Sequence, residues 1–229
     1  MTSLDLARAP DPERVVILAG PSGAGKSRLA ARLHAAHGWP IVRLDDFYRD
    51  GDDPTLPMTE LGATRLVDWD DPGSWDAAAA VRALSSLVQR GQAQVPVYDI
   101  GRSRVTGSAL VFLGPGQLVV AEGIFAAEVI GRLRDGGLLH SAWCVAHNRW
   151  VTFARRLVRD LSERRKPPHI LLRRGLALCR AEPEVIGRME RLGARRTSPA
   201  RAESRLALVG PETGIPGLAG LEGARVRAR

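Results

Sequence analysis

The sequence predicts an α/β fold of three layers, a mostly parallel sheet covered by helices on both faces. Three observations predict it. Arg14-Val15-Val16-Ile17-Leu18-Ala19 is a short, continuously apolar and β-branched run, the pattern of a strand buried on both sides. A glycine-rich turn follows, then a helical stretch from Lys26 to Ala36 with Leu29 and Leu33 on one face. Gly38 stops that helix, and Pro40-Ile41-Val42-Arg43-Leu44 reads as a second strand. Strand, turn, helix and strand make a βαβ unit, which implies a parallel sheet.

The remaining elements follow in order. Asp45 to Gly73 is rich in loop formers. Ser74 reads as the N-cap of a helix running to about Arg90, with Val81, Leu84 and Val88 as its apolar stripe. Ala93–Tyr98 and Arg102–Thr106 flank a short Asp-Ile-Gly turn and form a small hairpin flap. Leu110–Leu113 and Gln117–Ala121 read as two strands broken by Gly114-Pro115-Gly116. A helix is expected from about Ile124, a strand near Leu138–Val145, a strongly basic helix from Arg149 to Arg164, and a helix over Glu184–Leu192. Leu206–Val209 reads as a last strand. Residues 1–13 form an N-terminal extension, 14–209 one domain, and 210–229, rich in Gly and Arg, a flexible basic tail.

A chain of 229 residues with 45% apolar content supports one such domain with a sizeable core. No apolar stretch approaches the roughly 18 residues that span a bilayer, and the N-terminus lacks a charged start followed by an apolar run. A cytoplasmic location without membrane attachment is therefore expected. Cys144 and Cys179 are far apart and in apolar contexts, as buried free thiols are.

The net charge of +8 is unevenly laid out. Acidic residues crowd Asp45 to Asp76, and arginines crowd Arg149 to Arg205. That segregation suits a cleft holding a polyanion on one side and hydroxyls or a metal on the other. With no base-reading motif in the chain, a small-molecule partner is expected rather than nucleic acid. The sequence leaves assembly into oligomers open.

The chemistry begins at Gly20-Pro21-Ser22-Gly23-Ala24-Gly25-Lys26-Ser27, directly after the first strand. Its glycines let the backbone curl so that successive N–H groups point into one concavity that binds phosphate oxygens. The helix behind it adds its N-terminal dipole. Lys26 offers a compact cation to the β- and γ-phosphates, and the Ser27 hydroxyl can ligate Mg²⁺. Of the 33 Lys and Arg residues only Lys26 and Lys166 are lysines. An arginine-biased chain that keeps lysine at this position points to chemistry that selects it. The stretch is a P-loop, and the ligand it implies is ATP with Mg²⁺.

P-loops serve many reactions, so the surrounding residues decide which. Asp45 and Asp46 end the second strand, where an open parallel sheet gathers its ligands. A carboxylate there can accept the proton of an attacking hydroxyl. Glu122 ends the strand Leu118-Val119-Val120-Ala121 and can hold Mg²⁺ directly or through water. Arg155, Arg156 and Arg159 share a helical face, and Arg164, Arg165 and Lys166 continue beyond it, as in an arginine-rich lid that closes over a triphosphate.

Asp45-Asp46-Phe47-Tyr48-Arg49, Asp70-Asp71-Pro72, Pro96-Val97-Tyr98-Asp99, Ala121-Glu122-Gly123-Ile124 and the run Arg156 to Arg164 occur in that order. From Val15 to Lys166 the series resembles the uridine kinase and phosphoribulokinase family of P-loop kinases, nearest to the uridine–cytidine kinases. The resemblance implies the P-loop NTPase fold for residues 14–209. It also implies phosphoryl transfer from ATP to a hydroxyl, with the 5′-hydroxyl of a nucleoside as the nearest acceptor. It makes Asp45 the base, with Tyr48 beside it. Asp70 and Arg156 would hold ribose hydroxyls, Tyr98 would line the base pocket, and Arg159 and Arg164 would contact phosphates from the lid.

Two departures stand out. Ile100 replaces the Phe that follows Tyr-Asp in uridine kinases, and no pyrimidine-reading histidine appears in the short turn Gly101-Arg102-Ser103-Arg104. The lid glycine is replaced by Arg165. A non-nucleoside alcohol is therefore the alternative acceptor, and a P-loop regulatory ATPase the more remote reading. The acidic loop Asp50-Gly51-Asp52-Asp53-Pro54 reads as a solvated turn. His34 and His37 read as surface or C-cap residues. Trp69 and Trp75 either stack on a base or pack in the core.

Overall fold

A computed structural model of the protein describes residues 13–61, 64–147, 149–162 and 168–208. The expected extension, apart from Glu13, and the expected basic tail lie outside the described residues.

Strand β1 (Val15–Ala19) leads into helix α1 (Lys26–His37) and strand β2 (Ile41–Arg43). A short 3₁₀ turn over Leu44–Phe47 follows, then the hairpin strands β3 (Met58–Leu61) and β4 (Thr64–Val67) and helix α2 (Ala77–Arg90). A second hairpin pairs β5 (Gln92–Asp99) with β6 (Arg104–Phe112). Strand β7 (Val119–Glu122), helix α3 (Ile130–Asp135) and strand β8 (Leu139–Val145) return the chain to the central sheet. Helices α4 (Arg149–Ser162) and α5 (Pro168–Arg191), strand β9 (Arg195–Thr197) and helix α6 (Pro199–Ala207) complete it.

The central sheet has the order β2-β7-β1-β8-β9, and every pair in it is parallel. Alternation along β1 divides the core. Val15, Ile17 and Ala19 belong to one buried cluster with Leu84 and Leu87 of α2, Leu133 of α3 and Met189 of α5. Val16 and Leu18 belong to a second cluster with Leu29 and Leu33 of α1 and Ala202 and Leu206 of α6. Side chains two apart on a strand share a face, so a fully apolar β1 can only sit between two helical layers. The three-layer fold expected from the sequence is the one observed.

Several boundaries differ from the expectation for local reasons. Asp76, not Ser74, caps α2, its carboxylate accepting the Ala79 N–H at 2.8 Å. Ser74 is buried in a preceding 3₁₀ turn, where its hydroxyl donates to Asp71 O. Leu110–Leu113 is no separate strand, because β6 runs unbroken through Leu110 to Phe112. Leu206 lies in helix α6, not a strand; Ser198 accepts the Arg201 N–H, and Ala202 and Leu206 face the core. The helix expected at Glu184–Leu192 is the end of α5, which passes through Pro183. The helix expected from Ile124 begins as a 3₁₀ turn over Ala126–Val129 before α3.

Candidate active site

The carboxyl ends of β1, β7 and β2 converge. Leu18 pairs with Glu122, and Arg43 pairs with the same Glu122 from the other side. The loop after β1 (the P-loop), the residues after β7 and those after β2 therefore open on one crevice, where open α/β sheets bind ligands. Gly20 makes the first turn possible. Its φ is +149°, and a Cβ there would lie 2.3 Å from Val145 O of the neighbouring strand.

Lys26 is buried, and its ammonium donates to Gly20 O at 2.9 Å and Pro21 O at 3.2 Å. The loop thus holds its own cation against its own carbonyls. Beside it the Ser27 hydroxyl donates to Glu122 Oε1 at 2.9 Å. Glu122 is only 5% exposed, and burial pushes its carboxyl above the usual carboxylate range, with Lys26 and the Ser27 hydrogen bond opposing that shift. A hydroxyl and a carboxylate at this distance are hard oxygen donors of the kind Mg²⁺ takes while keeping several waters.

Asp45 lies in the 3₁₀ turn after β2, and its Oδ1 accepts the Ile124 N–H at 2.8 Å. This approach requires Gly123, where a Cβ would lie 2.8 Å from Asp45 Oδ1 and 3.0 Å from Leu44 Cβ. The turn is anchored from behind by Trp75, whose buried indole donates to Leu44 O at 2.6 Å. Trp75 is thus a core residue. Asp46 points elsewhere. It lies 3.8 Å from Arg43 and accepts a backbone hydrogen bond from Tyr98, while burial raises its carboxyl above the usual range.

Next to Asp45 stands an aromatic group. The Tyr48 ring is 5.7 Å from Tyr98, 5.9 Å from Phe125 and 5.8 Å from Trp69, the last two edge-on. Its hydroxyl donates to Trp69 O at 3.3 Å. Burial raises the Tyr48 phenol well above its ordinary value, and the Asp45 and Asp70 carboxylates push it further. Asp70 is exposed, at the start of the turn that leads to α2. Asp45, Tyr48, Asp70 and Tyr98 are thus neighbours although up to 53 positions separate them in the chain. A cleft of about 750 Å³ opens on the far side of this turn, between α2 and the β5–β6 hairpin, and no P-loop residue lines it.

Helix α4 carries Arg156 and Arg159, but their side chains, and Arg164 altogether, lie outside the described residues. Among the other expected residues, Gly20 to Ser27, Asp45 and Glu122 meet at one crevice, and Tyr48, Asp70 and Tyr98 form its flank. Sequence reasoning missed Gly123 and Phe125. Gly123 was legible only as a neighbour of Glu122, and its need shows only when β2 and β7 are laid side by side. The acidic loop is the solvated turn expected of it, with Gly51, Asp52 and Pro54 exposed, but the sequence did not show that it is also tied to the hairpin: Asp50 accepts the Val105 N–H at 2.7 Å and Asp52 pairs with Arg104 at 3.2 Å. His34 Nδ1 donates to Trp39 O at 2.8 Å, and His37 stacks on Trp39 at 4.4 Å, as expected of residues at a helix end. Both cysteines are buried and outside any disulfide, and burial pushes the Cys144 thiol up to about 11. No helix among the described residues is long and apolar enough to cross a membrane.

A family model described as an AAA domain matches residues 15–94. The uridine kinase of Ureaplasma parvum is 25% identical over 160 residues, covering 66% of this chain and 71% of that protein. The uridine kinase of Chlamydia pneumoniae is 24% identical over 168 residues, covering 72% of each. The inorganic pyrophosphatase TTM2 of Arabidopsis thaliana is 27% identical over 161 residues, and the chain spans only 21% of its length. Among solved structures, one named as a fructose transport system kinase from a Silicibacter species superposes with a TM-score of 0.59 at 18% identity, covering 86% of this chain and 91% of its own. That likeness extends to the fold.

Proposed function

We propose that this chain, a P-loop protein of the uridine kinase-like kind, transfers the γ-phosphoryl group of ATP to a hydroxyl of a small molecule, the 5′-hydroxyl of a nucleoside being the first candidate. The observation that carries the reading is the Asp45 carboxylate, held at 2.8 Å by the Ile124 N–H beside a P-loop whose Ser27 is 2.9 Å from Glu122. A base, a pair of hard oxygen ligands and a phosphate cradle around one crevice are the parts that phosphoryl transfer to an alcohol needs.

In this reading the N–H groups of Gly20 to Ser27 and the N-terminus of α1 receive the triphosphate. Lys26 turns from its own carbonyls toward the β- and γ-phosphates. Ser27 and Glu122 would hold Mg²⁺, which when bound offsets the charge of the phosphates. Asp45 accepts the proton of the acceptor hydroxyl as that oxygen attacks phosphorus. The Ile124 hydrogen bond engages Oδ1, and Oδ2 would take the proton. Tyr48 and Tyr98 line the acceptor, and the exposed Asp70 binds its hydroxyls. Arg156 joins Asp70 there, and Arg159 and Arg164 reach the phosphates from the lid, on the strength of the sequence resemblance. The uridine kinases among the relatives support the acceptor class.

A second acceptor class is favoured by one observation. Ile100, at the tip of the β5–β6 hairpin, is 65% exposed and offers no aromatic face or histidine to a pyrimidine. A sugar or other polyol would need neither. A coupled ADP-release screen across nucleosides, sugars and small alcohols tests both. The reading expects Mg²⁺-dependent ADP formation that rises several-fold with one acceptor class; ADP formation indifferent to every acceptor would overturn it in favour of an ATPase.

A further inference from the structure

Among the described residues, the distal half of the β5–β6 hairpin buries little apolar surface beyond the contact of the Tyr98 ring with Tyr48 at 5.7 Å. Residues 104–110 of β6 are all exposed, as are Val97 and Ile100 on the facing side. Yet this half carries Tyr98, one wall of the acceptor pocket. Among the described residues, polar ties also bind it to one stretch of chain, Asp46 to Asp52. Asp50 Oδ1 accepts the Val105 N–H at 2.7 Å, and the Gly51 N–H donates to Ser103 O at 2.6 Å. Arg104 pairs with Asp52 at 3.2 Å, and the Tyr98 hydroxyl donates to Arg49 O at 3.2 Å. Asp46 takes a backbone hydrogen bond from Tyr98. The register of the hairpin slips by one residue between Val97 and Tyr98, so Tyr98 and Val105 sit beside a bulge, a device that re-aims side chains.

We propose that the acidic loop Asp50–Asp53 is a latch that fixes the flap, and with it the Tyr48–Tyr98 wall, making Asp50 a positioning residue for the acceptor. Asp50 joins two segments 55 positions apart and its bond is charge-assisted, the stronger kind. The Arg104–Asp52 pair is exposed and adds little. Because Asp45, Asp46, Tyr48 and Asp50 lie within six consecutive residues after β2, an acceptor that seats against Tyr98 pulls on the segment that carries the base. The role in acceptor binding rests on the kinase reading above; the latch itself does not.

The test uses Asp50→Ala, Asp50→Asn and Gly51→Ala in the full chain. Asn keeps an oxygen for the Val105 N–H. Ala at 51 sets a Cβ 3.0 Å from Ser103 Cβ and 3.2 Å from Ser103 O, prying the same joint apart from the other side. Amide hydrogen exchange is read at Val105 and its flap neighbours, with β1 amides as the control for global unfolding. Asp50→Ala and Gly51→Ala should speed flap exchange roughly tenfold with β1 unchanged, and Asp50→Asn roughly threefold or less. With an acceptor in hand, Asp50→Ala should raise the acceptor KM about tenfold, leave the ATP KM unchanged, and be rescued by Asn. Val105 exchanging in Asp50→Ala as in the wild type overturns the latch. An ATP KM that rises as much as the acceptor KM overturns its role in acceptor positioning. If the wild type turns over no acceptor at all, the kinase reading fails, and the exchange data alone decide the latch.

Discussion

Replacing Gly123 by Ala adds one methyl group at the closest approach between β7 and the turn after β2. The new Cβ would lie 2.8 Å from Asp45 Oδ1, which is 0.6 Å short of ordinary contact at 3.4 Å, and 3.0 Å from Leu44 Cβ. Of these neighbours the carboxylate is the free end of a side chain and yields first. Its withdrawal breaks the 2.8 Å hydrogen bond from Ile124. A bond to an ionised acceptor is worth about 1.5–3 kcal/mol, so the productive position of Asp45 loses roughly ten- to hundredfold in population. Misplacing a catalytic group by about 1 Å costs on the order of 10²-fold in rate. Since Asp45 can rotate toward the cleft, the fold should lose no more than about 2 kcal/mol. The expected outcome is kcat down about 10²-fold with the ATP Kd within about twofold of the wild type. Coupled ADP release gives the first, calorimetric titration of ATP the second, and a urea transition the stability. An unchanged kcat, or ATP binding lost in step with kcat, would refute the argument that Gly123 exists to seat Asp45.

Two further variants probe the supports of the crevice. Burial raises the Glu122 carboxyl above its ordinary 4.5, so the folded chain binds that proton more tightly than the unfolded one. Stability of the metal-free protein should therefore fall as pH rises from the unfolded value through the raised one. Glu122→Gln, which keeps an oxygen for Ser27, should flatten that fall and match or exceed the wild type at pH 7 by urea denaturation, while losing the extra stabilisation that Mg²⁺ gives the ATP complex. Lower stability than the wild type at neutral pH would contradict the assignment of burial as the dominant cause. Trp75→Phe strands the Leu44 carbonyl in the core and should cost about 1–3 kcal/mol. Its kcat should fall further than its affinity for ATP, because Leu44 leads directly into Asp45.

What was legible in the sequence was what is local. The phosphate loop declares itself because its glycines, its lysine and its hydroxyl are consecutive and β1 and α1 flank them. Asp45 and Glu122 were legible as acids at strand ends, since a parallel sheet turns such positions toward its ligand edge. The elements misread were those whose state depends on remote partners. Leu206-Ala207-Leu208-Val209 has strand-like composition, yet Ser198 starts a helix ahead of it and the second core face takes Leu206. The helix expected to start at Glu184 is the end of α5, which runs through Pro183 with Ile186 and Met189 buried against the sheet. Asp50 and Asp52 do lie in a solvated turn, but their ties to Val105 and Arg104 were not legible, because those partners are more than 50 positions away. Trp69 and Trp75 look alike in the sequence, but only Trp75 is sealed in the core, while Trp69 lies against Tyr48.

The central claim is that Asp45 is the base for transfer from a triphosphate held by the P-loop. The most direct measurement is transfer of γ-labelled phosphate from ATP to the acceptor by the wild type and by Asp45→Asn, with ATP affinity measured on both. Asn keeps the shape and an oxygen for Ile124 but accepts a proton poorly. The account predicts an ATP Kd within about twofold and transfer reduced by roughly 10²–10⁴-fold, the range for loss of a general base. Full acceptor-dependent transfer by Asp45→Asn would contradict it.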